Sequence, residues 1–303
     1  MKKGTFIIIL VFIFVRSIGQ NINDLKKLFN YDKGEGLDFR VHGIKDTLQG
    51  TINYVSFSSI NGLKVTATLI IPHQNLREFP VIIFLNDAFQ AKDAFLPQAL
   101  DLATNAFACL LIDPLPLRPE PYRMNYHSYS EPRKDFSAYR QAVLDIRRSI
   151  DALEQHPKID RNRIAFIGNG DGAMTGAIVS GIETRILNYI LMSCSSCYSC
   201  NLRTSNDPLM SKARNILTSE QISQYEIVLK PLNPINYLPF HRSTLVFFQF
   251  AQNDPSFDEP AAKSIIQITR DPKSQKFYKT TSLGLIEFHE AIADQKKWLK
   301  DHL

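Results

Sequence analysis

The chain of 303 residues is 44% hydrophobic and 21% charged, with a formal net charge of +5. It carries no long Lys/Arg run of the kind that binds nucleic acid or anionic lipid, which sets those partners aside. Four cysteines are too few for a disulfide scaffold in a chain of this length.

In chain order, the first feature is a basic start, Lys2-Lys3, followed by an uncharged apolar run from Thr5 to Val15 and then Arg16-Ser17-Ile18-Gly19-Gln20. This pattern predicts a secretory signal peptide over residues 1–19, cut before Gln20, and places the protein outside the cytoplasm, secreted or periplasmic. The run is too short for a stable membrane span, which takes roughly 20 apolar residues. Its removal takes away Lys2, Lys3 and Arg16 and no acid, so the formal charge falls from +5 to +2. Residues 20–45 read as a polar lead-in, and 46–303 as one domain.

Alternating apolar residues over Ile52–Ser59 and Leu63–Ile71, joined through Asn61-Gly62, predict an antiparallel hairpin. The texture then changes. Val81–Leu85 is a short continuous apolar run, as expected of a strand covered on both faces. A helix over Ala91–Asn105 places Phe95, Ala99 and Leu102 on one side. A strand at Ala108–Asp113 holds Cys109 as a buried small hydrophobe. Asp135–His156 has the clearest helical period, with Tyr139, Val143, Ile146, Ile150 and Leu153 on one stripe. Arg163–Gly168 (strand), Asp171–Gly181 (helix) and Ile186–Met192 (strand) follow. About 194–240 is polar and irregular, with one helix near Ser219–Leu229, and reads as a lid inserted after the sixth strand. Thr244–Phe250 (strand), Glu259–Thr269 (helix), Lys276–Thr281 (strand) and Glu287–Leu303 (helix) close the chain. Strand–helix repetition after a hairpin predicts an α/β fold: a mostly parallel sheet with an antiparallel N-terminal hairpin and helices on both faces.

The stretch Gly168-Asn169-Gly170-Asp171-Gly172 stands between a strand and a helix. That is the setting of a nucleophile elbow, G-x-Ser-x-G, whose flanking glycines let strand and helix pack closely. Gly168 and Gly172 hold the flanking places, and the serine position is Gly170.

From about Tyr54 to Leu303 the chain resembles the dienelactone-hydrolase-like branch of the α/β-hydrolase superfamily. The matching stretches are Tyr139–Leu153, Ile159-Asp-Arg-Asn-Arg-Ile164 with the elbow, Leu232-Asn-Pro-Ile-Asn-Tyr237, Phe248–Asp254 and Glu290–Leu299. The resemblance implies the α/β-hydrolase fold and a triad of serine, acid and histidine. Asp254 stands at the acid position. The serine position is vacant at Gly170. The loop that would carry the histidine, Thr280–Glu287, has none: one alignment puts Leu285 at that place, another Thr281 or Ser282, and His289 lies nearby at the start of the last helix. The His-Gly that opens the oxyanion loop is here Asn86-Asp87-Ala88, so the backbone N–H groups of Ala88 and Asp171 are the oxyanion-like donors.

Other chemistries fit less well. Asp171 sits one residue past the elbow centre and reads as a favourable charge at a helix N-terminus. Gly168-x-Gly170-x-x-Ala173 is a loose dinucleotide fingerprint, but Ser193-Cys194 stand where its acid belongs. Cys194-x-x-Cys197-x-x-Cys200 offers three weak metal candidates, whereas a closed zinc site wants four ligands, so a local disulfide with a spare thiol is the plainer reading. His42, His73, His127, His156, His241 and His302 show no mutual ligand spacing and read as surface or cap residues. No cofactor is expected. The sequence reads as a secreted, non-catalytic protein of the α/β-hydrolase fold, binding a small molecule or a protein through the former pocket. The alternative is an esterase with a non-standard nucleophile, assisted by His289 or Asp254.

Overall fold

A computed structural model describes residues 22–303 except 199, 204, 242–243, 256–258 and 282–283. The segment expected to be a signal peptide, residues 1–19, and Ser282 therefore lie outside the described residues.

Nine strands form one sheet in the order β1-β2-β3-β5-β4-β6-β7-β8-β9. They are β1 (Arg40–Asp46), β2 (Gly50–Ser58), β3 (Lys64–Pro72), β4 (Phe79–Leu85), β5 (Ala108–Ile112), β6 (Ile159–Asn169), β7 (Ile186–Met192), β8 (Leu245–Ala251) and β9 (Lys273–Tyr278). The β1–β2, β2–β3 and β3–β5 pairs are antiparallel, and every pair from β5–β4 to β8–β9 is parallel. The hairpin turn falls where Asn61 and Gly62 adopt φ of 55° and 73°, the left-handed pair that lets a tight turn follow the strand twist.

The helices are α1 (Ile22–Lys27), α2 (Leu96–Ala103), α3 (Pro132–Glu154), α4 (Asp171–Ile182), α5 (Pro208–Ile216), α6 (Ser219–Leu229), α7 (Glu259–Ile268) and α8 (His289–His302). The two-residue period of the central strands divides the core between them. In β4, Val81, Ile83 and Leu85 join the cluster under α3 and α4, while Ile82 and Phe84 join the cluster under α2 and α8. The expected mostly parallel sheet with antiparallel N-terminal strands and helices on both faces is what the chain forms.

Two sequence boundaries move. The stretch 20–45 is more than a lead-in: it holds α1 and all of β1 but Asp46, and Phe29 is fully buried in the core. The burial pattern of β1 is exposed nearly throughout, so it had no apolar period by which to be recognised. With β1 counted, the insertion follows the seventh strand, not the sixth. That insertion carries α5 as well as the expected α6. Asp207 starts α5 by accepting the amides of Leu209 (2.9 Å) and Met210 (3.0 Å), an N-cap followed at once by Pro208.

Candidate functional site

At the carboxyl end of β6 the chain turns from Asn169 through Gly170 into α4. Gly170 has φ 54° and ψ −118°, a conformation costly for any residue with a Cβ. The turn is held by its neighbours. A Cβ on Gly168 would meet the Gly172 carbonyl oxygen at 2.5 Å, and one on Gly172 would collide with the Leu85 carbonyl. The flanking glycines therefore do what the motif requires, closing strand onto helix.

The centre of the elbow is occupied from outside. A Cβ built on Gly170 would overlap Asp87 Oδ2 and lie 3.1 Å from Asp87 Cγ and 3.2 Å from Asp87 Cβ. The Asp87 carboxylate thus fills the space that a nucleophile side chain needs. Asp171 N–H donates to Asp87 Oδ2 at 3.4 Å and Phe89 N–H to Oδ1 at 3.4 Å. One of the two expected oxyanion-like donors, Asp171, is therefore turned toward a carboxylate. The other residue, Ala88, is fully buried and absent from the cavity wall. Two asparagines lock the Asp87 loop to the end of β6: Asn86 Oδ1 accepts from Asp87 N–H (2.9 Å) and from Asn169 Nδ2 (3.2 Å).

A cavity of ≈ 610 Å³ opens above this point, within the range of small-molecule sites. Gly170, Asp171, Asp87 and Asp254 all line it, together with His127, Ser193 and residues of the insertion, among them Tyr198, Asp207 and Met210. Four aspartates, Asp87, Asp171, Asp207 and Asp254, and no Lys or Arg stand among the described lining residues.

His127 enters the cavity wall from the irregular segment between β5 and α3, although the sequence reading had set it aside as a surface or cap residue. Its Nε2 lies 2.6 Å from Asp171 Oδ2, and its Nδ1 faces the hydroxyls of Tyr139 (3.1 Å) and Tyr129 (3.2 Å). The segment is pinned at both ends. Arg118, fully buried, forms an ion pair with Asp145 of α3 at 2.7 Å and donates to the Asp113 carbonyl at 3.1 Å. Asp135 of α3 accepts the amides of Ser128 and Tyr129, both at 3.2 Å, and the Tyr225 hydroxyl at 2.9 Å. These bonds hold His127 and Tyr129 at φ 63° and 55°, conformations that persist only where the surroundings over-determine them.

Burial and the neighbouring Asp171 charge push the Asp87 carboxyl up to about 6, against a smaller lowering by His127. Burial pushes His127 down, but the charge and hydrogen bond of Asp171 outweigh it, and its pKa ends above the ordinary histidine value. Asp171 and His127 are thus satisfied by each other, with both ring nitrogens engaged inside the protein.

The remaining expected site residues fall elsewhere. His289 is the first residue of α8 and is absent from the cavity wall. Leu285, at one of the two places aligned with the family histidine, is fully buried in the cluster under α2 and α8, and Thr281 is exposed. Cys197 is disulfide-bonded, and Cys109 and Cys194 are free buried thiols. Among the described residues no three His, Cys, Asp or Glu side chains are grouped to hold a metal ion, and no helix is long and apolar enough to cross a membrane.

No protein-family profile and no curated protein matches the chain. Solved structures do. An acetyl xylan esterase from Paenibacillus sp. R4 superposes with a TM-score of 0.74 at 16% identity, covering 94% of this chain and 93% of that one. Acetyl xylan esterase 1 from a Thermoanaerobacterium species gives 0.74 at 11% identity, covering 93% of both chains. A cold-adapted esterase from an Arctic intertidal metagenomic library gives 0.65 at 12% identity, covering 87% of this chain and 99% of that one. Likeness at such low identity is a likeness of architecture, and it agrees with the sheet order: the chain has the α/β-hydrolase fold.

Proposed function

We propose that this protein binds a small organic molecule in the cavity above Gly170 and does not perform serine-type hydrolysis there. The observation that carries the reading is the Asp87 carboxylate in the space of the missing nucleophile side chain. A donor pair without a nucleophile binds an oxygen but forms no acyl-enzyme. At this elbow the Asp171 amide already faces a carboxylate, which repels a developing oxyanion. Asp254 keeps its place on the cavity wall as a binding group, and the insertion over 194–240 acts as the lid. The apolar segment over residues 5–15 and the disulfide at Cys197 support work outside the cytoplasm, since disulfides persist in oxidising compartments.

The test is hydrolysis of p-nitrophenyl acetate by purified protein. The expected result is a rate equal to buffer for the wild type and for Asp254→Ala alike. N-terminal sequencing of the exported protein tests the location, with Gln20 as the expected first residue.

One observation favours a second reading, an esterase with a displaced nucleophile. Ser193, at the end of β7 beside Gly170, has φ 49° and a buried hydroxyl without a hydrogen-bond partner among the described residues. A hydrolytic rate that disappears in Ser193→Ala would establish that reading and end the first.

A further inference from the structure

The geometry points to a specific class of occupant: a small organic ammonium ion, with its N–H donors toward Asp87, Asn169 and Ser193 and its body against the aromatic side of the cavity. This rests on the binding reading above and narrows it.

The first ground is charge. Asp171 is matched by His127 at 2.6 Å, and Asp207 is engaged in capping α5. Asp87 receives only backbone amides at 3.4 Å and forms no ion pair among the described residues. Among the described lining residues there is no Lys or Arg. In a half-enclosed site these charges are less screened than at an open surface, so a cation gains more there than a neutral or anionic guest.

The second ground is independent of charge. Two lining residues, Asn169 and Ser193, are 4% and 7% exposed, and each has a buried oxygen, Asn169 Oδ1 and Ser193 Oγ, with no hydrogen-bond partner among the described residues. Buried polar atoms are seldom left unpaired. Two acceptors on a wall that also carries Asp87 suit an –NH₃⁺ group, which has three donors and no acceptor.

The third ground is shape. The acids are not grouped about one point: among the described residues no three ligating side chains could share a metal ion. Spread charge with Phe89 and Tyr129 on the same wall suits a cation with an organic body, which aromatic faces attract. Phe89 is 55% exposed with its ring centroid 5.6 Å from that of His127, so one aromatic face stands at the cavity mouth.

Isothermal titration of the whole protein with benzylamine, benzyl alcohol and benzoate separates the possibilities, because the three share one ring and differ in charge. At neutral pH benzylamine is expected to bind more tightly than benzyl alcohol by about tenfold, as one desolvated ion-pair contact implies. Benzoate is expected to bind most weakly. Asp87→Asn should reduce benzylamine affinity several-fold and change that of benzyl alcohol far less. Equal binding of amine and alcohol, preferential binding of benzoate, or no heat from benzylamine at millimolar concentration would each overturn the assignment. Failure here is distinct from failure of the wider reading. A hydrolytic rate on p-nitrophenyl acetate overturns the non-catalytic reading whatever the charge preference, and tight binding of the alcohol alone keeps the binding reading while removing the cation.

Discussion

The elbow at the end of β6 and the segment that carries His127 face the same cavity but are built in opposite ways. The elbow is positioned chiefly by backbone: Gly168 and Gly172 admit the close approach of strand, helix and the Leu85 carbonyl. Residues 118–131 have little regular structure and are positioned by side chains from α3, Asp145 on Arg118 and Asp135 on Ser128 and Tyr129. The first region holds its geometry through the close approach of backbone. In the other, a histidine is delivered by bonds between residues far apart in the chain. A turn fixed by backbone packing depends little on any one side chain, whereas a site fixed by long-range side-chain pairs depends on each of them.

The largest expected effect follows from that difference. Arg118→Ala leaves Asp145 as a buried charge without its cation and should cost about 3–5 kcal/mol in chemical denaturation. Hydrogen exchange on the same variant should show lost protection across residues 118–131 while β6 and α4 keep theirs. Equal loss in both regions would break the comparison.

Gly170→Ser comes next. It forces a Cβ onto the Asp87 carboxylate at a left-handed φ, for an expected loss of about 2–4 kcal/mol. Asp87→Ala in the same chain should recover at least about 1 kcal/mol of it as a coupling in a double-mutant cycle. Strict additivity would mean that Asp87 and the elbow are not in steric competition.

Asp87 itself is expected to be unfavourable for folding. Its folded pKa of about 6 lies above the ordinary aspartate value, so the folded state prefers it protonated. That contribution is fully present below the ordinary range and is lost as pH rises through about 6. Asp87→Asn should therefore be more stable than wild type at neutral pH, by about 1–3 kcal/mol, with the gain vanishing in acid. Thermal unfolding against pH reads this directly, and a gain independent of pH would exclude the titration as its cause.

The smallest effect is at His127. Its folded pKa is raised by Asp171, so the pair stabilises fully below the unfolded histidine value and less as pH rises past the folded one. His127→Gln should cost about 1–2 kcal/mol on the acid side and less on the alkaline side.

The same contrast explains what was legible in the sequence. The strands from β2 to β8 were found because continuous or alternating apolar runs report burial locally, and the elbow because its glycines sit at fixed spacing. β1 escaped because its side chains are nearly all exposed. His127 escaped because its partner Asp171 is 44 residues away and no short motif joins them. Asp87 was seen as a departure from the usual oxyanion loop. That its carboxylate fills the space above Gly170 follows only from folding β4 beside β6. In the loop before the last helix, Leu285 turns into the core, which no local pattern announces.

The central claim is that no nucleophile works at this elbow. A fluorophosphonate, which forms a stable adduct with activated serines, tests it directly when followed by intact-mass spectrometry on the folded protein. The account predicts an unchanged mass, in the wild type and after addition of benzylamine alike. A single stoichiometric adduct, mapped to Ser193 or any other serine of the cavity wall, would contradict it and make this chain a hydrolase with its nucleophile moved.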